Sequence, residues 1–136
     1  MVMSALRSDS SEFASEESRR DLARIVAALF ERWRLDTDLQ MQLLGMSPKS
    51  RKQLPKYRAG ELALPNSRDT LDRVGYLLGI HKGLRLLFPE DETLRFSWVH
   101  RRNRVLEGAT PLEVMVRDGL LGVARIARLV DFQRGR

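Results

Sequence analysis

The sequence predicts an all-α protein, a helix-turn-helix region packed with a small helical C-terminal domain. Three observations carry this. Leu22, Ile25, Val26, Leu29, Phe30 and Trp33 recur at spacings of three and four, one face of an amphipathic helix. Helix-start signals recur along the chain, most clearly Ser47-Pro48 and Thr110-Pro111-Leu112-Glu113. No run alternates apolar and polar residues as a strand does, and no Asn-Gly hairpin turn is present.

In order, residues 1–14 are polar, Ser-rich and aperiodic, and read as a disordered tail. Ser15 or Ser18 caps the first helix, and Glu16, Glu17 and Asp21 suit its positive end. A short helix fits Thr37–Leu44, capped by Asp36 or Thr37 and ended by Gly45. Gly45-Met46-Ser47 turns the chain, and a third helix starts at Pro48 and ends near Gly60. Asn66 or Ser67 caps a fourth, with Leu71, Val74, Leu77 and Leu78 inward and Gly79 interrupting it. A helical stretch His81–Leu87 follows, ended by Pro89. Glu90, Asp91 and Glu92 open a helix that runs to about Val99 and buries Leu94 and Trp98. Residues 101–109 read as a loop. A helix then runs from Pro111 to Arg117, Asp118-Gly119 turns, and Leu120–Phe132 buries Val123, Ile126, Ala127 and Val130.

Composition narrows the function classes. With no cysteine, disulfides, thiolate catalysis and cysteine zinc sites are excluded. His81 and His100 stand alone, without a partner at triad or metal-ligand spacing, so no catalytic residue, metal or cofactor is expected. The longest apolar run, Ile25–Phe30, is six residues, against about 20 for a membrane span. No secretory signal is visible, so a cytoplasmic protein without a membrane partner is expected.

Net charge is +6, unevenly spread. Residues 37–60 carry five basic and one acidic group, and residues 101–136 carry eight and four. The stretches before and after the first basic region are each net −1. Two basic regions favour a polyanionic partner, with a solvated basic surface as the alternative.

The first basic region coincides with the helix-turn-helix pattern, whose second helix enters the major groove. Ser47, Lys49, Ser50, Arg51, Lys52, Gln53, Lys56 and Arg58 are therefore candidate DNA contacts. Lys and Arg neutralise phosphates, and Arg and Gln read G and A edges. Pro55 lies within that helix, removes a backbone donor, and predicts a break between Gln53 and the residues after Leu54. In the second region Arg125 and Arg128 share a face of the last helix, and Arg134 and Arg136 follow it. They form either a solvated face or a surface for an acidic or phosphate-bearing partner.

One ordered series extends beyond local signals: Trp98, then Arg101-Arg102-Asn103, then Gly108-Ala109-Thr110-Pro111-Leu112-Glu113. With Leu77–Pro89 before it, this series resembles the Xre/MbcA/ParS antitoxins of bacterial type II toxin–antitoxin pairs, over roughly Leu22 to the C-terminus. Arg102-Asn103 stands where the family often has Pro-Asn. Ser47–Gly60 is longer than the usual segment, and Tyr57 stands where Trp is common.

The resemblance implies an Xre-like DNA-binding region at 15–88 and a toxin-binding domain at 89–136. It implies a homodimer that binds operator DNA and represses its own operon. It also implies capture of a cognate RES-domain, NAD-consuming toxin, whose active-site cleft Leu120–Arg136 would cover. Arg101, Asn103, Arg125, Arg128, Arg134 and Arg136 become candidate toxin contacts, and Trp98, Gly108, Thr110 and Pro111 the structural motif. The alternative is a stand-alone helix-turn-helix regulator without a toxin.

Overall fold

The computed structural model describes residues 15–135. The expected tail, 1–14, and Arg136 lie outside the described residues. Within them the chain is all-helical, with no strand. It forms α1 (Glu16–Arg32), α2 (Thr37–Leu44), a 3-10 turn (Pro48–Gln53), α3 (Leu54–Arg58), α4 (Arg68–Leu87), α5 (Glu92–Ser97) and α6 (Pro111–Gln133).

Side-chain caps start most of these helices. Ser15, Asp36, Ser67, Asp91 and Thr110 each accept a hydrogen bond from a backbone N–H of the first turn. Of the paired alternatives, Ser15, Asp36 and Ser67 are the residues used. Such a cap is worth about 1 kcal/mol. α1 buries Ala23, Val26, Leu29 and Phe30, with Trp33 just past its end. Ile25 departs from the expected stripe and is 47 % exposed, lining an open groove with Leu78 and His81 of α4 and Phe96 further on.

α4 corrects the expected interruption at Gly79. It runs unbroken for 20 residues, because Val74, Leu77, Ile80 and Leu84 form a continuous buried stripe. Gly79 has no atom near the place a Cβ would take, so it marks an open face rather than a break. α6 keeps the expected turn in altered form. Gly119 adopts φ 63°, ψ −137°, and the helix resumes at once, so two arms meet at a kink. The kink brings Gly122 against the carbonyl of Val114.

α4 and the second arm of α6 run side by side in the same direction. Arg73 lies by Gly119, and Gly83 lies by Val130. One hydrophobic cluster, from Ala23 in α1 to Val130 in α6, joins every helix of four turns or more. Each fully buried Leu, Ile or Phe in it contributes about 1.5–3 kcal/mol. Two short basic segments lie at the edge of this core, Pro48–Gln53 and the loop 101–109, the second anchored in it by Leu106.

Candidate functional site

The first basic segment is not one helix. Ser47 caps its start by accepting from Lys49 N (3.2 Å), and Pro48 takes the first position of a 3-10 turn. The α-helix begins only at Leu54. Pro55 then falls in its first turn, where a backbone N–H would have no partner anyway. Leu54 and Tyr57 anchor the segment in the core. Tyr57 Oη donates to Gln53 Oε1 (3.0 Å), and burial raises its pKa, so the phenol remains a donor.

Lys49, Arg51, Lys52, Gln53, Lys56 and Arg58 are exposed, and Ser50 is half-buried. Two of these cations are already paired: Arg51 with Asp38 of α2 (3.7 Å), and Arg58 with Glu31 of α1 (2.8 Å). Gln53 is engaged by Tyr57.

The second segment is a tight knuckle organised by Asn103. Its N–H donates to the Ala109 carbonyl, and its own carbonyl accepts from Leu106 N and Gly108 N, all at 3.0 Å. Its Oδ1 accepts from Val105 N (3.0 Å). Glu107 and Gly108, both with positive φ, reverse the chain, and buried Leu106 pins it. Trp98, at 7 % exposure, and Pro111 are buried on either side of the knuckle. At its root His100 Nε2 donates to the Trp33 carbonyl at the end of α1 (2.6 Å). Arg101 Nε donates to Ser97 Oγ (3.0 Å). Arg101, Arg102 and Arg104 are exposed.

α6 presents a third feature. Thr110 Oγ1 accepts from Glu113 N (3.0 Å), and Pro111 opens the helix. The second arm turns Val123, Ile126, Leu129 and Val130 inward. Its outer face carries Leu121 and Phe132, 79 % and 77 % exposed. Between them at helical spacing stand Arg125 and Arg128, both exposed. Arg134 is not on that face. Its side chain is 15 % exposed, pairs with Asp131 (3.3 Å) and lies against Gly83 of α4.

Sequence reasoning passed over Leu121, Phe132, Arg102 and Arg104. The signal for the first two was their phase: both are large apolar residues off the buried stripe, on the arginines' side.

Among the described residues no helix is long and apolar enough to cross a membrane. None of them forms a cluster of three or more His, Asp or Glu able to hold a metal ion.

The C-terminal part, residues 83–136, matches the family model described as the antitoxin Xre/MbcA/ParS C-terminal toxin-binding domain. The match begins inside α4 and takes in the knuckle and all of α6. The chain is also similar to the uncharacterized protein y4oB of Sinorhizobium fredii (strain NBRC 101917 / NGR234). The two are 36 % identical over 121 residues, 85 % of this chain and 90 % of that protein. No solved structure matches the chain significantly. On the toxin-binding domain that it carries, the chain belongs to the Xre/MbcA/ParS antitoxin family.

Proposed function

We propose that this antitoxin seizes its toxin with the outer face of α6 and binds its own operator through residues 47–58. The observation that carries the first part is the pair Leu121 and Phe132, which a solvated helix has no reason to expose so fully. Apolar side chains at i and i+11 with arginines between them suit a helix lying in a groove. Arg125 and Arg128 then face the partner, and a cleft that binds a phosphate-bearing cofactor offers them matching charge.

The partner is a RES-domain enzyme that consumes NAD, and covering its cleft stops substrate entry. Arg134 joins the contact only by leaving Asp131, and Arg136 extends it, whereas Asn103 is spent on holding the 101–109 turn together. The antitoxin acts by binding, not by catalysis, and in the cytoplasm.

On the DNA side Lys49, Lys52 and Lys56 are the free cations of the 47–58 segment. Ser47 and Ser50 lie at its start, where exposed N–H groups face a phosphate. A homodimer sets two such segments on two half-sites. Residues 15–88 and 89–136 thus divide the work while sharing one core.

Co-expression with the product of the neighbouring reading frame tests the proposal. A stable complex and restored cellular NAD are expected. No complex, with NAD unaffected, would leave a stand-alone DNA-binding regulator.

A further inference from the structure

We infer that the 101–109 knuckle is a second nucleic-acid contact, continuous with the 47–58 segment, so that the toxin-binding half grips the operator backbone as well. This rests on the DNA-binding reading above.

The first basic region ends, and the second begins, near the same place, the C-terminal end of α1. Arg58 is held there by Glu31. The knuckle is held there by the hydrogen bond from His100 to the Trp33 carbonyl. Arg34, exposed and with φ 55°, directly follows Trp33 at this helix end. Regions separated by some forty residues of chain thus meet at one end of α1.

The acids at this end are already used. Glu31 neutralises Arg58, and Glu92 pairs with Arg32. In the knuckle itself Glu107 is the one acid against Arg101, Arg102 and Arg104. None of these three arginines has an acidic partner among the described residues. The 47–58 segment differs, because both its arginines are paired and only lysines remain free. The guanidinium groups at this end without an acidic partner among the described residues are therefore Arg34 and the three of the knuckle.

The knuckle is also rigid. Four hydrogen bonds converge on Asn103, and Leu106 is buried beneath them. A phosphate backbone meeting it finds guanidinium groups on an ordered frame, so little ordering entropy is lost on binding. Guanidinium groups bind phosphate oxygens in pairs. The continuity with the lysine-bearing segment favours a duplex running across both over an acidic patch on the toxin.

A salt titration of binding to a labelled random-sequence duplex tests this. Three proteins are compared: the parent, an Arg101/Arg102/Arg104→Ala variant and a Lys49/Lys52/Lys56→Ala variant. Each phosphate contact contributes about 0.9 to the slope of log K against log salt. The arginine variant is expected to lose about 2 to 3 from that slope, and replacement by lysine to restore it. Circular dichroism shows whether the helices persist.

If the lysine variant loses slope while the arginine variant keeps it, the knuckle is not a DNA contact, although the DNA-binding reading stands. If the parent itself has no salt-dependent affinity for the duplex, both fall. If the arginine variant binds duplex as the parent does but loses the co-expressed toxin, the knuckle belongs to the toxin interface and the inference is overturned.

Discussion

Gly83 of α4 and Val130 of α6 touch so closely that a Cβ on the glycine would lie 2.3 Å from Val130 Cγ1. Val130 is fully buried in the core cluster. α4 and α6 are therefore joined at a point where only glycine fits.

Gly83→Ala is expected to cost about 1–3 kcal/mol by overpacking, read as a lower thermal midpoint. Gly79→Ala, one turn earlier on an open face, is expected to raise the midpoint, with about 0.5–1 kcal/mol gained from helix propensity. Thermal unfolding of the two variants side by side checks the packing independently of any partner. Equal shifts would contradict the close α4–α6 contact.

Gly45 closes α2 with φ 70°, and Arg73 occupies the space a side chain there would need, its Nε lying 2.6 Å from the Cβ position. Arg73 Nη1 donates to the Gln42 carbonyl (3.3 Å) and Nε to Asp69, so it also serves the end of α2. Gly45→Ala is expected to cost at least about 1–2 kcal/mol from the left-handed backbone alone. Denaturant unfolding measures it. A neutral result would mean that α2 ends differently.

His81 stacks on Phe96 (centroids 5.6 Å apart) with Arg32, Arg85 and Arg95 nearby. Burial, and then these three charges, lower its pKa below the ordinary histidine value. Its Nδ1 is buried without a hydrogen-bond partner. The folded state therefore resists a proton that the unfolded chain accepts. Stability contributed by this group is full above about pH 6.5 and falls as the pH drops below it, levelling off once the folded histidine also titrates. Thermal midpoints measured between about pH 7 and pH 5 should fall more steeply for the parent than for His81→Gln. Parallel curves would remove His81 from the account.

Much of the fold was legible because its signals are local. The Ser47-Pro48 and Thr110-Pro111 starts form as the sequence indicates, and so does the break caused by Pro55. Gly79 misled because a glycine inside a helix costs only about 1 kcal/mol, which the buried stripe of α4 offsets. Ile25 misled for a different reason: periodicity tells which side of a helix is apolar, not where its packing partners stop.

The candidate site was legible only in part. Charge picked out Arg125 and Arg128, but pairing is a three-dimensional fact. Spacing puts Asp131 three residues before Arg134 on one helix, but nothing in it turns Arg134 inward against Gly83 or spends Arg58 on Glu31 across the fold.

The central claim is that the outer face of α6 captures the toxin. Leu121→Asp/Phe132→Asp changes only exposed side chains, so the helical signal and thermal midpoint should stay near the parent's. The decisive measurement is affinity pull-down of the neighbouring reading frame's product with the parent and with this variant. The account predicts a complex with the parent and at least a tenfold weaker one with the variant, as loss of about 1.4 kcal/mol or more implies. A variant that retains the product as firmly as the parent would contradict it.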